Sequence, residues 1–138
     1  MKRIMKLLIP TLALMLAFFS PSVWAERTVT QREHRQTIVL KPKETLLVKL
    51  PADPSTGYLW FFEALENQAL NLLQDRKFTP RKKGEINRQG DASWRFSAQS
   101  KGEVKLRFEY RKPWQGSEVE PLDVREFNII VDDTKGSA

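Results

Sequence analysis

Val104-Lys105-Leu106-Arg107-Phe108-Glu109-Tyr110-Arg111 is the most regular segment of this chain, with apolar and charged side chains in strict alternation. Because successive side chains of a strand point to opposite faces, this pattern predicts a strand with one buried and one solvated face. Shorter segments of the same kind surround it, at residues 45–50, 94–98 and 127–131. After the first 25 residues no segment has the period of a long helix, so the sequence predicts an all-β domain.

Turn-forming residues separate about seven such segments, which predicts an immunoglobulin-like antiparallel β-sandwich. One segment, Tyr58-Leu59-Trp60-Phe61-Phe62, is apolar on both faces, as expected of a central strand. Residues 79–91 are polar and basic without a period, and they predict a long loop. The polar segments at the two ends, Glu26 to His34 and Asp132 to Ala138, are predicted to be loose tails.

The first 25 residues have the order of a secretory signal peptide. Three basic residues precede a short apolar run, and small residues then lead to Ala25. The apolar run is shorter than the ~20 residues that cross a membrane, so we expect cleavage after Ala25 and no stable membrane insertion afterwards. Residues 26–138 would then form a single domain in the periplasm or outside the cell.

The inventory of reactive side chains argues against catalysis and metal binding. The chain has no cysteine and a single histidine, His34, which lies in the predicted tail. Zinc sites and thiol chemistry are therefore excluded, and a Ser-His-Asp triad would have to use His34. The acidic residues Glu118, Glu120 and Asp123 fit a solvated loop face better than a pair of catalytic carboxylates. We expect no enzyme activity, no metal and no cofactor.

The charge of the chain is moderate. The formal net charge of +6 falls to +3 when the three basic residues of the predicted signal peptide are removed. Lysines and arginines alternate with acids along the predicted strands, so we expect no nucleic-acid partner. The segment Arg81-Lys82-Lys83, with Arg88, could contact phosphate or another anionic surface, although charges of this kind are usually only solvated.

A stretch of turn formers between two apolar runs is the first candidate binding loop. It reads Leu50-Pro51-Ala52-Asp53-Pro54-Ser55-Thr56-Gly57-Tyr58-Leu59-Trp60. The prolines fix φ, Asp53 and Ser55 can hydrogen-bond their own backbone, and Gly57 can adopt positive φ. These features predict a rigid polar loop on a β scaffold, a common place for binding function. An ordinary connection between strands would look similar.

A second candidate loop, Lys112-Pro113-Trp114-Gln115-Gly116, interrupts the regular strand at its end. Pro113 stiffens this loop, and Gly116 lets the chain turn back. A large aromatic side chain on a stiff loop loses little entropy on contact, so Trp114 is a candidate binding anchor. Trp114 could equally fold back and cover the core of the sandwich.

These two segments resemble the binding loops of the chagasin-type inhibitors of papain-like cysteine peptidases. The first loop of that family reads N-P-T-T-G-[YF], and Asp53-Pro54-Ser55-Thr56-Gly57-Tyr58 follows it. The third loop reads R-P-W after a strand that ends in an aromatic residue, and Tyr110-Arg111-Lys112-Pro113-Trp114 follows that pattern with lysine in place of arginine. The middle loop reads G-x-G-G before a strand, and the corresponding Asn87-Arg88-Gln89-Gly90 keeps only Gly90. The resemblance runs from about Thr37 to Val131.

The resemblance implies a reversible inhibitor that occludes the cleft of a papain-like cysteine peptidase with three loops. Thr56 would lie near the catalytic cysteine and histidine, the loop around Gly90 along the non-primed side, and Trp114 on aromatic residues of the primed side. We expect a monomer whose target peptidase belongs to the same organism or to a host.

Departures from the family pattern leave an alternative open. Lys112 lacks the planar guanidinium that would make a bidentate or stacked contact, and residues 87–89 place bulk where the family has glycine. The alternative is a secreted, non-inhibitory β-sandwich that binds an envelope protein or a glycan.

Overall fold

The computed structural model of the chain describes residues 25–84 and 88–133, which form two four-stranded sheets around one apolar core. The first sheet has the strand order β1-β3-β6-β5, and the second has the order β2-β8-β7-β4. The strands are β1 (Glu26–Val29), β2 (Thr37–Leu40), β3 (Thr45–Ala52), β4 (Leu59–Phe62), β5 (Leu70–Pro80), β6 (Gly90–Ala98), β7 (Gly102–Arg111) and β8 (Asp123–Val131). The predicted all-β, immunoglobulin-like sandwich is confirmed.

Alternation along the strands decides which side chains enter the core, as the sequence predicts. The inward positions of β3 and β6 are buried along the whole strand, including Trp94 at 1% exposure, and those of β7 and β8 are buried at 104–108 and 127–131. Aromatic rings from both sheets meet there: the centroid of Phe108 lies 4.6 Å from that of Trp94 and 6.0 Å from that of Phe127. Aromatic burial of this kind lets a domain without disulfides remain folded.

Both sheets are mixed, whereas the sequence predicted antiparallel pairing throughout. β1 pairs with β3 in parallel, and β2 pairs with β8 in parallel; the other four pairings are antiparallel. In each sheet the parallel partner is a four-residue strand at the edge. The alternation of side chains is the same in either direction, so the sequence pattern does not distinguish the two arrangements.

The prediction of a loose N-terminal tail is wrong. Residues 26–29 pair with β3, and Val29 is buried at 2% exposure. A capping box then starts a short 3₁₀ helix: the Thr30 hydroxyl accepts from the backbone, and the Glu33 carboxylate accepts from the Thr30 amide at 2.6 Å. His34 is also part of the fold, because its Nδ1 accepts from the Glu126 amide at 3.0 Å.

The long loop predicted at residues 79–91 is shorter in the structure than in the prediction. β5 continues to Pro80, and β6 begins at Gly90, so the connection is residues 81–89. The polar segment 74–78 was predicted as a strand, and the structure extends it by Thr79 and Pro80, which pair with Asp91 and Gly90. The polar side chains at these strand ends resemble those of a loop, so the pattern did not show the last pairs.

The prediction that residues 58–62 form a central strand is also wrong, since β4 lies at the edge of its sheet. The outward ring of Phe61 is covered by cations instead of a neighbouring strand. The guanidinium carbons of Arg76 and Arg111 lie 5.2 and 4.9 Å from its centroid. Arg76 also donates through Nη1 to the carbonyl of Trp60 at 2.7 Å, which satisfies a backbone acceptor on the edge strand.

Within residues 25–84 and 88–133, no helix is long and apolar enough to cross a membrane. The predicted signal peptide up to Trp24, the C-terminal residues 134–138 and Asn87 lie outside the described residues.

Candidate functional site

Strand pairing brings three loops to the same end of the sandwich. β3 ends at Ala52, which pairs with Gly90 at the start of β6. β4 begins at Leu59, which pairs with Arg111 at the end of β7. The loop between β3 and β4 therefore passes from one sheet to the other, with a further loop on each side of it. Loop 1 is residues 53–58, loop 2 is residues 81–89 and loop 3 is residues 112–122.

Loop 1 is held by hydrogen bonds between its own residues. The Asp53 carboxylate accepts from the amide of Ser55 at 3.1 Å and from its hydroxyl at 2.5 Å. The Thr56 hydroxyl donates to the carbonyl of Asp53 at 2.7 Å and accepts from the amide of Tyr58 at 3.3 Å. Pro54 begins a 3₁₀ helix that Asp53 caps. The loop is thus shaped before any partner arrives, although Asp53 and Ser55 differ from the family pattern.

Loop 3 lies against loop 1 at Gly57. This glycine has φ of +86°, and a Cβ built on it would lie 3.5 Å from Cη2 of Trp114. Trp114 itself is 73% exposed, so it does not cover the core of the sandwich. The indole therefore stands beside the tip of loop 1 with most of its surface available to a partner.

Lys112 connects the aromatic rings of the two loops. Its ammonium lies 5.2 Å from the ring centroid of Tyr58 and 5.6 Å from that of Trp114. Gln115 closes the turn. Its backbone N–H donates to the Lys112 carbonyl at 3.1 Å, and its side-chain Oε1 accepts from the backbone N–H of Lys112 at 3.2 Å. Lysine lacks the planar fork of arginine, but here it still contacts aromatic faces.

An aromatic stack ties the loops to the core. Tyr58 stacks on Tyr110 with centroids 5.3 Å apart, and Tyr110 packs on Trp60 at 4.8 Å. Trp60 is buried, and its Nε1 donates to the carbonyl of Pro51 at 2.8 Å, just before loop 1. Sequence reasoning missed Tyr110 as a supporting residue. The available signal was the aromatic residue that ends the strand before the third-loop pattern.

Loop 2 is closed at its base and shares an open cleft with loop 1. The Arg81 amide donates to the Gln89 carbonyl at 2.9 Å. Gly90 is buried, and a Cβ there would lie 2.2 Å from the carbonyl oxygen of Thr79. An open cleft of about 260 Å³ is lined by Asp53 of loop 1 and by Arg81 and Gln89 of loop 2, together with residues of neighbouring elements such as Tyr110 and Asp123.

A family model described as chagasin family peptidase inhibitor I42 matches residues 39–131. The chain belongs to the chagasin family. Chagasin of Trypanosoma cruzi is 24% identical over 92 residues, which are 64% of this chain and 83% of that protein.

Solved structures show the same fold. A cysteine protease inhibitor of Entamoeba histolytica has a TM-score of 0.68 at 22% identity, covering 81% of this chain and all of that one. PbICP-C, solved in complex with falcipain-2, has a TM-score of 0.50 at 16% identity, covering 83% of this chain and 96% of that one.

In this chagasin-family domain the predicted site residues fall into two groups. Loop 1 and the predicted residues of loop 3 form one continuous surface around Gly57 and Trp114. Arg88 and Gln89 of loop 2 are exposed, and Gln89 also lines the cleft. Gly90 is buried where β5 pairs with β6, and a side chain there would collide with β5. Whether Gly90 touches a partner stays a prediction.

Proposed function

We propose that this chain is an exported, reversible inhibitor of papain-like cysteine peptidases that occludes the active-site cleft with loops 1, 2 and 3. Membership of the chagasin family of peptidase inhibitors supports the inhibitor role. The relative PbICP-C is described in complex with falcipain-2, which supports a peptidase of this class as partner. We infer that the inhibitor acts as a monomer in the periplasm or outside the cell, on a peptidase of its own organism or of a host.

The observation that carries the proposal is the preformed joint surface of loops 1 and 3. The internal hydrogen bonds of loop 1 and its contact with Trp114 remove much of the ordering entropy that binding would otherwise cost. A loop held this firmly also resists distortion toward the transition state of peptide cleavage, so it occupies the cleft without being cut.

Each loop has a distinct role in the proposed complex. Thr56 at the tip of loop 1 lies near the catalytic cysteine and histidine of the peptidase. Trp114 stacks on aromatic residues of the primed side and acts as the anchor of the interface. Arg88 and Gln89 of loop 2 lie along the non-primed side.

Titration of papain with purified residues 26–138 tests the proposal. We expect activity to fall stoichiometrically and to return on dilution, because the proposed complex involves no covalent bond. Full papain activity at micromolar concentrations of the protein would contradict an inhibitor of this enzyme class. That result would favour the non-inhibitory module for an envelope protein or a glycan.

Two substitutions at Thr56 distinguish the effect of a bulkier side chain on inhibition from the effect of losing the hydrogen bonds of its hydroxyl. Thr56→Arg places a long charged side chain at the tip and should abolish inhibition. Thr56→Val keeps the size of the side chain and removes the hydroxyl bonds to Asp53 and Tyr58, so it should weaken inhibition only modestly. Equal inhibition by the parent and Thr56→Arg would place Thr56 outside the cleft.

A further inference from the structure

Positive charge is concentrated in one hairpin of the domain. Residues 76–90 contain six basic side chains and one acidic side chain, whereas the rest of the chain from Glu26 onward contains fourteen basic and sixteen acidic side chains. The net charge of +3 is therefore the sum of +5 in this hairpin and −2 elsewhere. We name the described part of this segment, residues 76–84 and 88–90, the basic hairpin; its cations are Arg76, Lys77, Arg81, Lys82, Lys83 and Arg88.

The charges of the basic hairpin are exposed, and three of them have no carboxylate partner in the part of the chain that the structure describes. All six cationic side chains are exposed. Among residues 25–84 and 88–133, no carboxylate lies within ion-pair distance of Lys77, Lys82 or Lys83. Arg107 on the other sheet differs, because its guanidinium donates hydrogen bonds to the carboxylates of Glu109 and Glu126, and these bonds raise its pKa.

The basic hairpin lies at the end of the sandwich that carries loops 1 to 3. Pro80 and Ala52 both pair with Gly90, so the hairpin leaves its sheet beside the start of loop 1. Loop 3, on the other side of loop 1, carries the exposed acids Glu118 and Glu120. A protein that receives loop 1 therefore meets positive charge on one side and negative charge on the other.

We infer that the target peptidase is acidic along the rim that faces loop 2, and that the basic hairpin steers and orients the encounter. This inference rests on the proposed function. Charges at the margin of an interface act mainly on the association rate, and complementary fields raise that rate by about 10- to 1,000-fold at low salt. The opposite charges of the basic hairpin and loop 3 also disfavour docking in the reversed orientation.

A matched pair of peptidases and a matched pair of inhibitor variants test the inference. The peptidases are papain and a papain variant with added glutamates along the non-primed rim of the cleft. The inhibitor variants are Lys82→Glu/Lys83→Glu and the control Lys101→Glu/Lys105→Glu. The control makes the same charge change at the start of β7, where Gly102 pairs with Val131. This is the end of the sandwich opposite to loops 1, 2 and 3. Association rates are measured by stopped flow at about 0.01 M and 1 M salt, where charges are screened beyond about 30 and 3 Å.

The parent should associate with the acidic-rim papain at least about 10-fold faster than with papain at low salt, and the two rates should converge at high salt. Lys82→Glu/Lys83→Glu should lose this advantage, whereas Lys101→Glu/Lys105→Glu should keep it. Inhibition of both peptidases at equal rates would overturn the inference and leave the proposed function intact. An advantage that persists in Lys82→Glu/Lys83→Glu would also overturn it. If the protein inhibited neither papain nor the acidic-rim papain, both the inference and the proposed function would be overturned.

Discussion

At the scale of single residues, Trp114 is the side chain on which binding should depend most. It is 73% exposed and touches loop 1 only at its edge, so its removal should leave the fold intact. Trp114→Ala should weaken inhibition of papain by about 2 kcal/mol or more, roughly 30-fold, as expected for an aromatic anchor. The melting temperature should stay that of the parent.

Leu73→Ala is a suitable control for Trp114, because it removes another exposed apolar side chain, at 54% exposure, from β5. Its inhibition constant should not change. If Trp114→Ala inhibited as well as the parent, loop 3 would have no part in the interface.

Two glycines differ in what a methyl group would meet. A Cβ at Gly90 would lie 2.2 Å from a backbone oxygen, whereas a Cβ at Gly116 would meet only the flexible end of Glu118 at 2.9 Å. Gly90→Ala should therefore lower the free energy of unfolding by about 1–3 kcal/mol. Gly116→Ala should change it by less than about 0.5 kcal/mol. Urea unfolding of both variants measures the difference, and equal stabilities would show that β5 moves aside at Gly90 without penalty.

At the scale of elements, β1 is an integral strand and should contribute to stability. Val29 of β1 is 2% exposed, whereas Val39 of β2 is 36% exposed. Val29→Ala should cost about 2 kcal/mol of unfolding free energy, since it removes fully buried carbon atoms. The same change at Val39 should cost no more than about 0.5 kcal/mol. Chemical denaturation distinguishes them, and a silent Val29→Ala would mean that β1 unfolds independently of the sandwich.

The edge strand β4 shows how this fold limits the addition of strands from other molecules. β4 is a four-residue edge strand, and Arg76 from β5 occupies one of its carbonyl groups. The guanidinium groups of Arg76 and Arg111 also cover the ring of Phe61. A charged, partly satisfied edge is a poor template for an additional strand, so these arginines explain how an apolar segment can lie at the edge of a sheet.

At the scale of the whole molecule, the proposed function requires that the chain is exported and its signal peptide removed. The order of basic, apolar and small residues before Glu26 predicts cleavage after Ala25. N-terminal sequencing of the protein recovered from the periplasm or the medium should therefore begin at Glu26. Recovery of the uncleaved chain from a membrane fraction would contradict this prediction.

Local patterns were sufficient to predict the sandwich, its core and the residues of loop 1. Alternation alone identified the inward side chains of β7, because burial on one face requires a period of two. The turn chemistry of Asp53 and Gly57 acts over two to four residues, so the rigidity of loop 1 could also be read from its own sequence.

Features that depend on contacts between distant segments could not be predicted in this way. Parallel pairing of β1, the edge position of β4 and the contact between Gly57 and Trp114 each join segments far apart in the chain. Side chains alternate with a period of two in both parallel and antiparallel strands, so the pattern does not give the pairing direction. An apolar outer face on a strand likewise does not show whether a neighbouring strand or arginine side chains will cover it. Tertiary packing resolved these ambiguities, and it also gathered the charges of the basic hairpin beside loop 1, because strand register determines which loops share an end of the sandwich.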